Sequence, residues 1–471
     1  MMKRTVFPWR AFLGKIAMIA LPVALQNLMT TTGSMVDTMM IASIGQTEVG
    51  AVGLCAQFSS LMFSGYWGFV GGGMLFFSQY FGAKDDEGIN RSYGLTLCCM
   101  MTVSLLFGAL AVFFPEVVMR LYTDKESIQQ IGVSYLRIVG FAYPLMVFSM
   151  AMAALLRCTG RVRIPLWGSI AGVCTNIVFN WVLIFGHLGA PALGVRGAAL
   201  ATVLAQAVNC LVILIAARRS RHPYLLAFRR HFRWTGRFVR TYLKKCFPII
   251  MNEALIGVGN MVINVVLGRQ PEEAIAALAV FRTLEGLVIG FFAGFSNASS
   301  VLVGTEVGAG HISRAYGRGW RLVYLCQGFI ALLGALLIML HRPVLTLMGM
   351  SGESFRLAFG MMAIYLAFAV IRMGNWTQND TFRAAGDATF GTVLEIVFMW
   401  LLVLPCVCVS GLVFRWPTLA VFAFCYVDEP VRYVMMQIHL HRGKWIRPVT
   451  PEGRRALASW KPDRSLIDEE L

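Results

Sequence analysis

Charge is scarce in this chain. Only 14% of its 471 residues are Asp, Glu, Lys or Arg, where an ordinary soluble domain carries about a quarter. Acids are the scarcer sign, 24 against 41 basic residues, while 57% of the chain is hydrophobic. That composition excludes a soluble globule, a disordered chain and a collagen. A paired disulfide framework is also missing. The eleven Cys sit singly or side by side in apolar runs, as at Cys98 and Cys99 or Cys406 and Cys408, without metal-ligand spacing. They read as small buried apolar residues. Gly71-Gly72-Gly73 is no phosphate loop, because no strand precedes it and no Lys follows; it reads as close helix packing or a bend. The seven His are scattered, and the sequence holds neither a metal motif nor a nucleophile constellation. These absences point away from an enzyme and imply no cofactor.

What the chain has instead is a series of long apolar runs. A membrane-crossing helix needs about 20 mostly apolar residues, and such stretches recur near 16–41, 51–79, 92–114, 129–156, 164–186, 195–217, 243–268, 274–303, 319–340, 357–382, 388–412 and 417–438. Strands of a closed barrel alternate polar with apolar residues, whereas residues 101–114 (MTVSLLFGALAVFF) are continuously apolar. The class is all-α and polytopic, with twelve spans. Lys3, Arg4, Arg10 and Lys15 precede the first run as in a secretory signal. That run continues into Asp37 without a small-residue cleavage site, so it reads as an uncleaved first span.

The net charge of +17 has two obvious explanations, a nucleic-acid partner or a membrane protein with basic cytoplasmic loops. Position decides between them. One alternating set of segments, comprising both termini, 82–91, 157–163, 218–245, 314–321 and Arg383, holds 30 of the 41 basic residues. The opposite set holds six: Arg120, Lys125, Arg196, Arg269, Arg342 and Arg415. The positive-inside rule then places both termini in the cytoplasm of a multi-pass protein of the cytoplasmic membrane, with no nucleic-acid partner. The densest cluster, 218–245, holds ten basic residues and no acid. It reads as an orientation signal touching anionic headgroups, at about 1 kcal/mol per residue.

The chain also repeats. A shift of 226 residues brings Leu21-Pro22 onto Phe247-Pro248, Gly82-Ala83 onto Gly308-Ala309, and Arg157 with Gly160 onto Arg383 with Gly386. Between the last two anchors the register slips by three, since Arg91-Ser-Tyr-Gly94 matches Arg314-Ala-Tyr-Gly317 at a shift of 223. The organisation expected is an N-lobe of six helices over 1–217, a basic cytoplasmic linker over 218–242, a C-lobe of six helices over 243–440 and a cytoplasmic tail over 441–471. Because six is even, both lobes enter from the same side as parallel repeats, an arrangement typical of secondary transporters with sites near the midplane.

Segments 21–58, 155–165 (LLRCTGRVRIP), 172–206 and 299–310 (SSVLVGTEVGAG), with the pair Gly82-Ala83, resemble multidrug and toxic compound extrusion (MATE) transporters of bacterial type. The likeness covers about residues 15 to 440. It implies a V-shaped pair of six-helix bundles and export of bulky, often cationic or amphipathic organic compounds in exchange for H+ or Na+. The expected partners are small organic substrates and membrane lipids, and the chain is read as a monomer. The alternatives are a flippase for a lipid-linked saccharide and an exporter of one specific metabolite. A flippase would turn cationic residues toward its cavity, for which Arg282 and Arg372 are the candidates.

An ionisable group within a span is costly and therefore a functional candidate. Asp37 is the only acid in the first span and lies in a hydroxyl-rich stretch, Thr30 to Thr38. A carboxylate there is either a group that binds and releases a proton or cation, or an acid at the water boundary if span 1 ends near residue 36. The resemblance selects the first reading, because the family's VDT motif, with its cation-coupling aspartate, falls on Val36-Asp37-Thr38. Asn176 and Asn180 share a helix face one turn apart and, with Thr202, add oxygens to a cation site or bond between helices. Some relatives carry an acid where Asn180 stands. In the second half Asp37 maps to Ile263. Glu253, accompanied by Asn252 and Asn260, looks like the acid of sodium-coupled relatives, its other reading being a helix-end acid open to water; the candidate places for a Na+ ion are Asp37 and Glu253. Arg282 and Glu285 read as an i,i+3 ion pair, and with Asn260 they are also candidates for lining the cavity. Arg372, Asn375, Gln378, Asn379 and Asp380 form a polar stretch in span 10 suited to lining a cavity, although some relatives have an acid near the position of Arg372. Glu395, in span 11, has no assigned role. Of the 26 Met and 33 Phe, some will line the cavity, where adaptable side chains suit varied substrates.

Overall fold

The structure is a computed structural model that describes residues 8–225 and 227–462, without the side chains of Phe228 and Leu287. Residues 1–7 and 463–471 of the expected cytoplasmic termini lie outside it. Among the described residues there is no strand, only an isolated bridge between Gly386 and Ile446. The chain forms α1 (Trp9–Ala42), α2 (Gln46–Gly82), α3 (Asp86–Phe113), α4 (Pro115–Tyr122), α5 (Glu126–Val139), α6 (Ala142–Cys158), α7 (Arg163–Phe185), α8 (Val195–Arg219), α9 (Phe228–His231), α10 (Gly236–Leu267), α11 (Glu272–Gly308), α12 (Ile312–Met339), α13 (His341–Leu347), α14 (Gly352–Ala384) and α15 (Phe390–Phe398), followed by shorter pieces.

Among the described residues, nine helices are long and apolar enough to cross a membrane, and the bent pair α5 and α6 makes ten. The two other expected spans differ for visible reasons. Helix α2 has the length, at 37 residues, but its apolarity is diluted by Ser and by Gly65, Gly68 and Gly71-Gly72-Gly73. The last is broken into Thr418–Phe424 and Glu429–Arg442. The α5/α6 pair bends by 48° because Pro144 has no N–H for the Gly140 carbonyl and its ring crowds that carbonyl. Span 11 stays helical, but π turns at Met399–Val403 and Val409–Val413 interrupt it. Many large apolar side chains stay exposed, among them Phe113, Leu121, Leu332 and Leu347, as lipid-facing residues do. Of the eleven Cys, Cys98 and Cys174 are exposed too. The expectation of burial fails for these two because they sit on surfaces of α3 and α7 that no other segment covers.

The chain divides into two compact units. One comprises Leu21–Phe77 and Asp85–Leu243. Within it Asp85 caps α3 by accepting from the Gly88 N–H at 2.8 Å, and Asp86 and Glu87 complement the helix dipole. Gly73 lies against Thr96 of α3, where a Cβ would come within 2.9 Å of the side chain, as close packing requires. The basic linker docks on this unit. Tyr224 donates to Asp86 at 2.7 Å, Thr159 and His222 share a bond of 3.0 Å, and the Trp234 indole N–H donates to the Arg91 carbonyl at 3.1 Å. Burial, with Arg161 nearby, pushes the His222 imidazole down to about 4, so it is neutral at cellular pH.

The other unit comprises residues 8–20, Ser78–Lys84 and the described residues from Lys244 onward. Its core packs Phe281, Tyr365, Phe422 and Tyr426 among residues of α10, α11, α12 and α14. Here the repeat anchors meet each other. A Cβ on Gly82 would lie 1.9 Å from the Thr305 carbonyl oxygen, and one on Gly308 would lie 1.9 Å from the Gln79 carbonyl oxygen. Gln79 and Thr305 are themselves 226 residues apart, so the contact is reciprocal, each glycine facing the carbonyl three residues before the other. The C-terminal segment closes over this contact. The Gln79 amide donates to the Ala384 carbonyl and accepts from the Val449 N–H, both at 2.8 Å, and Thr450 donates to the Gly308 carbonyl at 2.9 Å. Backbone atoms cannot yield cheaply, so Gly82→Ala is expected to lower the thermal midpoint of the purified protein by the equivalent of about 1–3 kcal/mol. Gly50→Ala, in the same helix with nothing within 4 Å, should leave it unchanged or raise it; equal melting of the two variants would refute the contact.

Candidate functional site

In the first unit the site is built where α1 lies against α7. Gly33 makes the approach possible, since a Cβ there would sit 3.0 Å from the Val173 side chain. One turn further along α1 and two along α7, the Asn180 amide donates to Asp37 Oδ1 at 2.6 Å and lies 3.2 Å from Asn176 Oδ1. Asn180 is fully buried, Asp37 and Asn176 half-buried. The amide Oδ1 of Asn180 has no hydrogen-bond partner among the described residues, so an oxygen is free beside the carboxylate. Thr202 stands on α8, where its hydroxyl donates to the Ala198 carbonyl at 3.0 Å. Helix α1 continues five residues past Asp37 to Ala42, so the carboxylate does not mark the helix end. A polar bridge absent from the sequence reading joins the earlier turns of α1 and α7 to α6. Arg157 donates to Gln26 Oε1 at 2.8 Å, and Gln26 donates to Ser169 at 2.7 Å.

In the second unit the charged residues form two sets of contacts that adjoin at Asn252 and Glu253. Arg282 donates to Glu285 at 2.7 Å, as its spacing suggests, and also reaches Asn264 at 3.1 Å. Arg372 joins the same carboxylate at 3.2 Å and Glu429 at 3.7 Å. Its guanidinium lies 4.9 to 5.7 Å from the ring centres of Trp376, Tyr426 and Tyr365, a stacked cation–π setting. Arg432 follows, 2.9 Å from Asp428 and 3.6 Å from Glu395. Glu395 accepts from Asn252 at 3.2 Å and Asn379 at 3.3 Å, both on one oxygen. Glu253 lies 3.6 Å from Arg383, which stands 4.0 Å from Asp380, itself bonded by Ser296.

Of the residues singled out in the sequence, Arg282, Glu285, Arg372, Asp380 and Glu253 thus belong to this network, while Asn260 is exposed on α10 and apart from it. Gln378 is fully buried with neither amide atom partnered among the described residues. Sequence reading left Glu395 without a role and did not weigh Asp428, Glu429 and Arg432. The i,i+4 and i,i+3 spacing of those three was the available signal. Six carboxylates (Glu253, Glu285, Asp380, Glu395, Asp428, Glu429) meet four guanidiniums (Arg282, Arg372, Arg383, Arg432). The cluster therefore has two acids more than bases.

Long apolar helices enclosing a few buried acids, amides and arginines are the make-up of a polytopic membrane transporter rather than an enzyme. The sequence model of the MatE family matches residues 22–182 and again 248–409, two blocks starting 226 residues apart, and the chain belongs to this family. Among its relatives, the probable multidrug resistance protein YoeA of Bacillus subtilis is 25% identical over 399 residues, covering 83% of this chain and 84% of the relative. The probable multidrug resistance protein NorM of Thermotoga maritima is 22% identical over 436 residues, covering 91% and 92%. Among solved structures, a MATE protein in complex with MaL6 superposes with a TM-score of 0.80 at 17% identity, covering 91% of this chain and 96% of that one. The outward-facing conformation of a multidrug resistance MATE transporter gives 0.79 over the same shares. At that identity the likeness establishes the fold, which is the MATE fold.

Proposed function

We propose that the protein is an ion-coupled exporter of organic, often cationic or amphipathic compounds, working in the cytoplasmic membrane with both termini in the cytoplasm. The observation that carries the reading is the Asp37–Asn180–Asn176 cluster, a carboxylate held by an amide whose own oxygen is unpartnered. A proton on Asp37, or a Na+ ion shared between Asp37 and the amide oxygens, would neutralise the carboxylate and change how α1 sits on α7. Substrate and ion then compete through their different affinities for two conformations, and the coupling is reciprocal. The excess of two acids in the second unit supplies a second place for a proton or Na+, centred on Glu253 and Asp380, which share the single Arg383. Relatives named as multidrug resistance proteins support the substrate class. Arg282 and Arg372, which a saccharide-lipid flippase would need free, both pair with Glu285, so the exporter is preferred.

The test is transport by the purified chain in proteoliposomes under separately imposed H+ and Na+ gradients, with a panel of cationic dyes. At least one dye should move against its gradient under one ion and stop when that gradient is collapsed. Immobility of every dye under both ions would sink the proposal.

A further inference from the structure

Two of the six basic residues that the sequence places opposite the basic termini, Arg269 and Arg415, line one cavity of about 510 Å³ in the second unit. It lies where the turn after α10 meets the end of span 11. The chain at Val409–Val413 is widened into a π turn, the Trp416 N–H returns to the Ser410 carbonyl at 2.9 Å, and Arg415 takes the left-handed backbone region at φ 49°. The two loops are tied together by Thr418, which donates to Gln270 Oε1 at 2.9 Å. That bond uses the amide oxygen and leaves its nitrogen facing Gly411, 3.9 Å from where a Cβ there would sit.

The lining groups are therefore donors: two guanidiniums and an amide N–H. No carboxylate lines the cavity, and among the described residues neither arginine has an acid within 4 Å. Glu272 and Glu273 follow on α11 but neither lines it. Two unpaired guanidiniums with an added amide donor suit a phosphate, which arginine forks bind through paired N–H bonds. The rim is apolar and open: Leu412, Val413, Phe414 and Trp416 are all exposed. Free phosphate has no use for such a rim, whereas a lipid would lay its acyl chains along it. Tryptophan beside charge is also the usual composition of a membrane boundary.

We propose that this cavity binds the phosphodiester headgroup of an anionic membrane lipid, of the phosphatidylglycerol type. The site is independent of the transport reading and does not touch Asp37 or the buried charge network.

The experiment uses the full purified chain in detergent, titrated with phosphatidylglycerol, phosphatidylcholine or inorganic phosphate, with bound lipid counted by native mass spectrometry. The wild type should retain one tightly held phosphatidylglycerol, and Arg269→Gln/Arg415→Gln should weaken that binding at least tenfold. Phosphatidylcholine should bind weakly to both proteins. Arg120→Gln/Arg342→Gln removes the same charge elsewhere and should leave retention unchanged. Equal retention by the Arg269/Arg415 variant would overturn the site. An equal loss in the Arg120/Arg342 variant would reduce it to diffuse attraction and overturn it too. Displacement of the lipid by millimolar phosphate alone would assign the cavity to a soluble anion and overturn the lipid assignment.

Discussion

Asp37→Asn is expected to abolish gradient-driven efflux, by at least tenfold in initial rate, while the protein still inserts and melts like the wild type. The two halves of that expectation come from different atoms. An asparagine at 37 keeps an oxygen where Oδ1 stands, so the Asn180 amide retains its acceptor and the α1–α7 contact persists. What disappears is the charge that a proton or Na+ would neutralise. With no charge to cancel, the ion binds both conformations alike, and a ligand of equal affinity for two states shifts neither. Substrate binding should survive, because the substitution exchanges one side-chain oxygen for an amide nitrogen and removes no packing, and dye exchange without a gradient should persist. The measurement is dye flux in proteoliposomes beside a thermal melt of the same preparation. Wild-type efflux from the melted-and-matched variant would remove Asp37 from the mechanism and leave the second unit's acids as the coupling groups.

How much of this was legible in the sequence depends on the range of the contact. Apolar runs announce spans locally, so among the described residues nine appear as helices of crossing length and a tenth as a bent pair, whereas α2 and the last span are blurred by Gly content and by the break before Glu429. The Arg282–Glu285 pair was visible because its partners are one turn apart. Asp37 and Asn180 are 143 positions apart, and only the family resemblance suggested that they share a site. The Gly82 and Gly308 anchors stood out as a repeat, but their reason, a reciprocal approach to the carbonyls of Gln79 and Thr305, needed coordinates. Glu395 shows the limit most plainly. Alone it is an acid in an apolar run, and its meaning comes from Asn252, Asn379 and Arg432 on three other helices.

Arg372 carries the second large expectation. Helix α14 places it between Glu285 and Glu429 with its side chain 18% exposed, and three aromatic rings surround its guanidinium. Removing it as Arg372→Met preserves the apolar stem but raises the excess of buried acids from two to three. Breaking a buried pair by deleting one partner costs about 3–5 kcal/mol, because the abandoned charge stays in low dielectric. Glu285 would keep only Arg282, and Glu429 only Asn375 and Arg432 at 4.0 Å. The variant should therefore melt well below the wild type and accumulate poorly in the membrane. Arg372→Lys retains the charge but not the planar fork or the stacking, so it should fall between the two. Transport separates structure from function in that milder variant. A lowered melting point with dye flux intact marks Arg372 as a structural cation holding two acids in place. An unchanged melting point with flux lost would instead put its planar fork and ring stacking in the transport step, and Arg372→Met melting with the wild type would refute the ion-pair network itself.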